Sequence, residues 1–101
     1  MGDRLTLHTL LTSILGSDNV YFQPPESISL KYPCIIYKRD YIKTDHADNS
    51  PYTLGKRYSV TVIDKNPDSV IPDNIAALPT CSFERHFTAD NLNHDIFNLY
   101  F

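Results

Sequence analysis

Tyr58, Val60 and Val62 alternate with Ser59, Thr61 and Ile63 in the clearest period-two pattern of the chain. Such alternation commits Arg57–Asp64 to a strand with one buried face. A second β-prone stretch runs from Tyr32 to about Lys43. Its first half, Cys34-Ile35-Ile36-Tyr37, is apolar on both faces. Its second half, Lys38, Arg39, Asp40 and Tyr41, alternates charge with aromatic character, as in a strand that leaves the core for solvent. Between the two strands lies the polar centre of the chain, Thr44 to Gly55. Asp45, Asp48, Asn49, Ser50 and Pro51 give it turn chemistry without a tight two-residue hairpin signal. The reading is a long antiparallel hairpin closed by a polar, mobile loop.

Two amphipathic helices are expected to cover the sheet. In the first, Leu7, Leu10, Leu11, Ile14 and Leu15 recur at three- and four-residue spacing, opposite a polar face of His8, Thr9, Thr12 and Ser13. Asp3 or Thr6 caps its start and Gly16 ends it. Val20-Tyr21-Phe22 is a short β-prone stretch before the extended Pro24-Pro25 segment. Pro67–Leu78 suits the second helix, with Val70, Ile71, Ile75 and Leu78 on one face. With Ser69 as its cap, Pro72 falls in the first turn, where a missing amide is tolerated. Two strands follow, about Ser82–Thr88 and Ile96–Tyr100, joined by a turn at Asp90-Asn91. Phe83, Arg85 and Phe87 share one face of the first, and Phe97, Leu99 and Phe101 one face of the second.

The order α-β-β-α-β-β has too few helices and too short strand connections for a doubly wound parallel sheet. It predicts one α+β domain over residues 1–101, with a largely antiparallel sheet packed by two helices. Composition agrees: 42% hydrophobic and 21% charged residues are the proportions of an ordinary globular domain, not of a collagen-like or disordered chain. No apolar run approaches a membrane span of ~20 residues, and the first residues lack the apolar core of a signal peptide. Leu7 stands where a myristoylation motif needs Ser or Thr.

The search for chemistry yields candidates that each have a plainer reading. Asp90, His94 and Asp95 bring two carboxylates near an imidazole, but a turn followed by residues on opposite strand faces explains them, and no third ligand has a fixed spacing. Cys81 and His86 are a thiol–imidazole pair only if a bulge brings them to one face. Asp45, His46 and Asp48 lie in the polar loop, which suits neither a rigid metal cage nor a preorganised base. Cys34 and Cys81 read as small buried hydrophobes, with a single disulfide left open. The three glycines Gly2, Gly16 and Gly55 form no phosphate-binding loop. The tyrosines could offer a stacking platform for single-stranded nucleic acid, but nine basic residues against twelve acidic ones argue against phosphate binding. No catalytic, metal or cofactor residues are expected, and the chain is read as non-enzymatic.

A resemblance adds to this reading. The stretch from Arg57 to Ser69, including Asp64-Lys65-Asn66-Pro67-Asp68, continues through Ile71, Ile75, Leu78-Pro79 and Phe83-Glu84-Arg85. It closes with Ala89-Asp90-Asn91-Leu92-Asn93-His94-Asp95-Ile96-Phe97-Asn98-Leu99-Tyr100. With the Tyr32–Tyr37 strand and the leading helix, it resembles the small tail-completion or tail terminator proteins of long-tailed bacteriophages over about residues 5 to 101.

The resemblance implies a structural virion protein, made in the bacterial cytoplasm, that forms a ring, commonly a hexamer, at the head-proximal end of the tail tube. Such a ring stops tube growth and joins the tail to the head-completion or stopper protein. DNA passes through its lumen without specific binding, and no cofactor or membrane is involved. On this reading the hairpin loop reaches a neighbouring subunit, with Asp45, His46, Asp48, Tyr52 and Lys56 as interface residues. A head–tail adaptor or minor capsid protein, or a small monomeric intracellular binding domain, are the alternatives.

Overall fold

The computed structural model describes residues 4–25, 29–47 and 50–101, with side chains outside residues 43–55. Its elements in chain order are α1 (Arg4–Leu15), β1 (Val20–Phe22), β2 (Cys34–Ala47), β3 (Ser50–Asp64), α2 (Ile71–Ala76), β4 (Cys81–Ala89) and β5 (Leu92–Tyr100). The fold is α+β: two helices and one five-stranded sheet of order β1-β2-β3-β5-β4. Every neighbouring pair is antiparallel except β1 with β2.

The alternation read in the sequence sets the register. Tyr37 lies opposite Val60, Val60 opposite Phe97, and Phe97 opposite Phe83, so one row crosses four strands. Both helices lie on this face. Leu7 and Leu11, four apart on α1, and Ile75 of α2 join Ile35, Tyr37, Tyr58, Val60, Val62, Phe97 and Leu99 in one buried cluster. Phe101 packs against its margin, so the apolar C-terminal strand is tied into the chain's own sheet. Gly16 ends α1 with φ +80°, and its amide donates to the Thr12 carbonyl at 2.9 Å. That left-handed residue is the usual glycine C-terminal stop.

Among the described residues, no helix covers the opposite face. The same registers place Phe87, His94, Ile63 and Cys34 in one row across it, then Arg85, Ile96, Thr61 and Ile36, then Asn98, Ser59 and Lys38. Cys34 and Ile63 are buried there, whereas Lys38 is exposed. This face therefore grades from apolar to polar.

Several expectations need correction. Val20–Phe22 is a fifth strand, parallel to β2, with Val20 opposite Ile35. The helix expected over Pro67–Leu78 is confined to Ile71–Ala76. Asp64 and Asn66 accept the amides of Asn66 and Asp68 at 3.0 Å, turning the chain where helix was expected. Val70, not Ser69, occupies the cap position, and Ser69 Oγ accepts the Ile71 amide at 3.3 Å. Val70 is 65% exposed and so off the buried face of Ile71, Ile75 and Leu78. His8, placed by periodicity on the polar face of α1, reaches the Tyr37 hydroxyl through Nδ1 at 2.8 Å.

The largest correction concerns Thr44–Gly55. The β2–β3 ladder does not stop near Lys43 but continues through Thr44 opposite Thr53 and Asp45 opposite Tyr52 to Ala47 opposite Ser50. Beyond Tyr37 on one side and Arg57 on the other, neither strand has a further neighbour in the sheet. A two-stranded ribbon thus projects from the body, in a molecule with extents of 52 × 27 × 23 Å.

Candidate assembly surfaces

The ribbon begins at an irregularity. Arg39 pairs with Tyr58 and Tyr41 with Arg57, so Asp40 is an extra residue on β2. Its carboxylate accepts from Arg57 Nε at 3.0 Å and from Nη2 at 3.4 Å. The guanidinium also stands over the Tyr41 ring, 5.2 Å from its centroid. The Asp40 hydrogen bonds are the main cause that raises the Arg57 pKa. This fork crosses the two strands where the sheet ends and fixes the ribbon's exit. A second register shift follows between Lys43 and Thr44.

Of the expected interface residues, Asp45, His46 and Tyr52 belong to the ribbon's paired strands, with His46 opposite Pro51. Asp48 lies outside the described residues. Lys56 is at the base, opposite Ile42, and its carbonyl accepts the Phe101 amide at 3.0 Å. The backbone at Lys56 therefore ties the C-terminus to the ribbon's root. Tyr41 and Ile42, 50% and 39% exposed, were not singled out as interface residues. Their signal was present: apolar side chains beyond the last core residue of a strand that emerges into solvent.

At the far edge of the sheet lies β4, paired among the described residues with β5 alone. Eight of its nine residues are exposed. A register shift between Phe83 and Arg85 makes Glu84 the extra residue. The expected sharing of one face by Phe83, Arg85 and Phe87 fails for that reason. Phe83 meets Phe97 edge-to-face at 5.5 Å on the helix side. Phe87 stacks on His94 at 4.5 Å on the helix-free side, with Arg85 over its ring.

The same shift brings Cys81 and His86 to one face, opposite Leu99 and Asp95 respectively. Those partners are four positions apart on β5, about 13 Å along a strand. His86 instead meets Asp95, Nδ1 to Oδ1 at 2.8 Å. The Asp90, His94 and Asp95 group is dispersed as well. Asp90 turns the chain with φ 53°, and His94 Nδ1 donates to the Leu92 carbonyl at 3.1 Å. Among the described residues no group of three or more His, Cys, Asp or Glu is placed to hold a metal.

Both thiols are free. Burial, with a smaller effect from the Asp64 charge, pushes Cys34 up to about 11, and burial also raises Cys81. Neither is poised as a nucleophile, because the thiolate is the reactive form. Tyr37 and Tyr58 are core residues, which removes them from any stacking platform. Burial raises the Tyr37 pKa, opposed by a hydrogen bond from Arg4. That arginine in turn covers the Phe22 ring at 4.6 Å. Arg4, His8 and Tyr37 thus lock α1 to β2. No helix among the described residues is long and apolar enough to cross a membrane.

The described residues present three exposed surfaces: a projecting ribbon, an edge strand and a graded sheet face. Compared with models of known protein families the chain matches none, and a search of curated proteins finds no significant relative.

Proposed function

We propose that this protein is a structural subunit of a phage tail, acting as a tail terminator or tail-completion ring component. The observation that carries the reading is the ribbon. A two-stranded ribbon is marginal in water on its own. Here one extends past the core, with exposed Tyr41 and Ile42 near its root. An assembled neighbour gives such an arm the contacts that its own body does not. The resemblance of about residues 5 to 101 to tail-completion proteins is the reason for reading that assembly as a phage tail. The −3 net charge is compatible with a conduit that lets DNA pass without gripping it.

The test is to add the purified chain to growing tail tubes and to image the products by negative-stain electron microscopy. Closed rings that cap one tube end and fix tube length are the expected outcome. Rings that form without capping would fit a head–tail adaptor instead. A monomer that leaves tube length unchanged would count against both.

A further inference from the structure

The projecting ribbon and the exposed β4 edge lie towards opposite sides of the sheet order β1-β2-β3-β5-β4. Their charges are opposite too. Residues 38–57 hold Lys38, Arg39, Lys43, Lys56 and Arg57 against Asp40, Asp45 and Asp48, a surplus of two positive charges. Residues 81–100 hold Glu84, Asp90 and Asp95 against Arg85, a surplus of two negative charges.

The edge can accept a strand. Asp90 and Asn91 have φ 53° and 61°, the two left-handed residues of a tight hairpin turn. Ala89 and Leu92, which flank that turn, are its hydrogen-bonded pair, so Thr88 turns its amide away from β5. Beyond the bulge at Glu84, Arg85–Ala89 pair with β5 in unbroken register, with no strand on their outer side among the described residues. Ribbon and edge also match in length. Residues 40–47 span about 26 Å as a strand, and the nine residues of β4 about 30 Å.

We infer that the basic β2–β3 ribbon of one copy docks along the acidic β4–β5 edge of a second copy, extending its sheet. Donor and acceptor are different surfaces of one chain, so the contact is head-to-tail and repeats round a ring or along a filament. It shares with the proposed function the premise that the partner is another copy. Two copies of this edge about a two-fold axis bring no opposite surpluses together, because residues 81–100 carry the same negative surplus in both. The bulge and the charged pair Glu84-Arg85 interrupt the edge and limit indiscriminate strand addition.

The test uses two full-length variants. Arg39→Glu with Lys43→Glu damages the donor and leaves β4 intact. Thr88→Pro blocks the acceptor and removes no hydrogen bond from the β4–β5 ladder. Circular dichroism establishes that each is folded. Each alone should lose self-association by roughly tenfold or more relative to the wild type. Mixed, with one copy isotopically labelled, they should give a one-to-one heterodimer in native mass spectrometry, weakened by added salt. Absence of the heterodimer at the highest soluble concentration overturns the inference. So does undiminished self-association of Thr88→Pro, which would mean that the ribbon docks elsewhere. Wild-type rings without a mixed dimer would sink this contact and leave the ring reading standing. A mixed dimer with wild-type filaments would do the reverse.

Discussion

Phe97 lies between Val60 and Phe83 in the row that crosses the sheet, and it is 1% exposed. Phe97→Ala removes a filled position on the helix-covered face of the sheet and should cost about 3–5 kcal/mol in a denaturant melt. That is a large share of a small domain's stability. Ending the chain at Tyr100 removes only the partly buried Phe101 and its hydrogen bond to Lys56, and should cost less. An unchanged melt for Phe97→Ala would remove β5 from the core. Cys34 gives a second residue-level expectation. Its thiol is raised from the ordinary 9.0 to about 11 by burial. The unfolded chain releases this proton first, so the stabilisation is full below pH 9 and declines as pH rises towards 11. Urea melts across that window should show the decline, and Cys34→Val should flatten the part that Cys34 supplies. Tyr37, also raised by burial, acts in the same direction in wild type and variant alike. Contacts such as His8 with Tyr37, 29 residues apart, were not legible. Helical periodicity ranks His8 as polar and outward, and only the docking of α1 on β2 gives its ring a buried partner.

Among the elements, legibility followed unbroken periodicity. Arg57–Asp64 alternates without interruption and was read correctly, as were Phe97 and Leu99. The bulge at Glu84 carries no glycine or proline mark, so alternation carried straight through it puts Phe87 on one face with Phe83, whereas the structure separates them. The ribbon was misread for a related reason. Asp, Asn, Pro and Gly are poor strand formers, and their density between residues 45 and 55 reads as a loop, although the cross-strand ladder runs through Asp45, Pro51 and Gly55. A two-stranded ladder without a third strand is nonetheless weak. Amides of residues 41–55 should therefore exchange rapidly in the free subunit and become protected on assembly. Equal exchange in both states would remove the ribbon from the interface. The β4–β5 turn offers a finer test. Asn91 has φ 61°, which glycine adopts freely and a β-branched residue resists. Asn91→Gly should be neutral or stabilising, whereas Asn91→Val should lower stability by about 1–2 kcal/mol by thermal melt.

For the whole molecule, the two-layer α+β arrangement was legible because each element needed a partner face and the order of elements left few ways to supply one. The net charge of −3 leads to a further expectation: DNA affinity that is weak, salt-sensitive and without sequence preference. Nanomolar binding at physiological salt in a fluorescence anisotropy titration would contradict the conduit picture. The Asp40–Arg57 fork matters here through what it restrains. Six residues beyond Tyr41, Ile42 to Ala47, reach roughly 20 Å, so the ribbon is a lever whose fulcrum is an exposed ion pair. A swing of about 10° at that fulcrum moves the end of β2 by about 3.5 Å, most of one inter-strand spacing. Whatever grips the tip can thus follow a neighbour through sizeable changes of tilt while the core beneath the helices stays rigid.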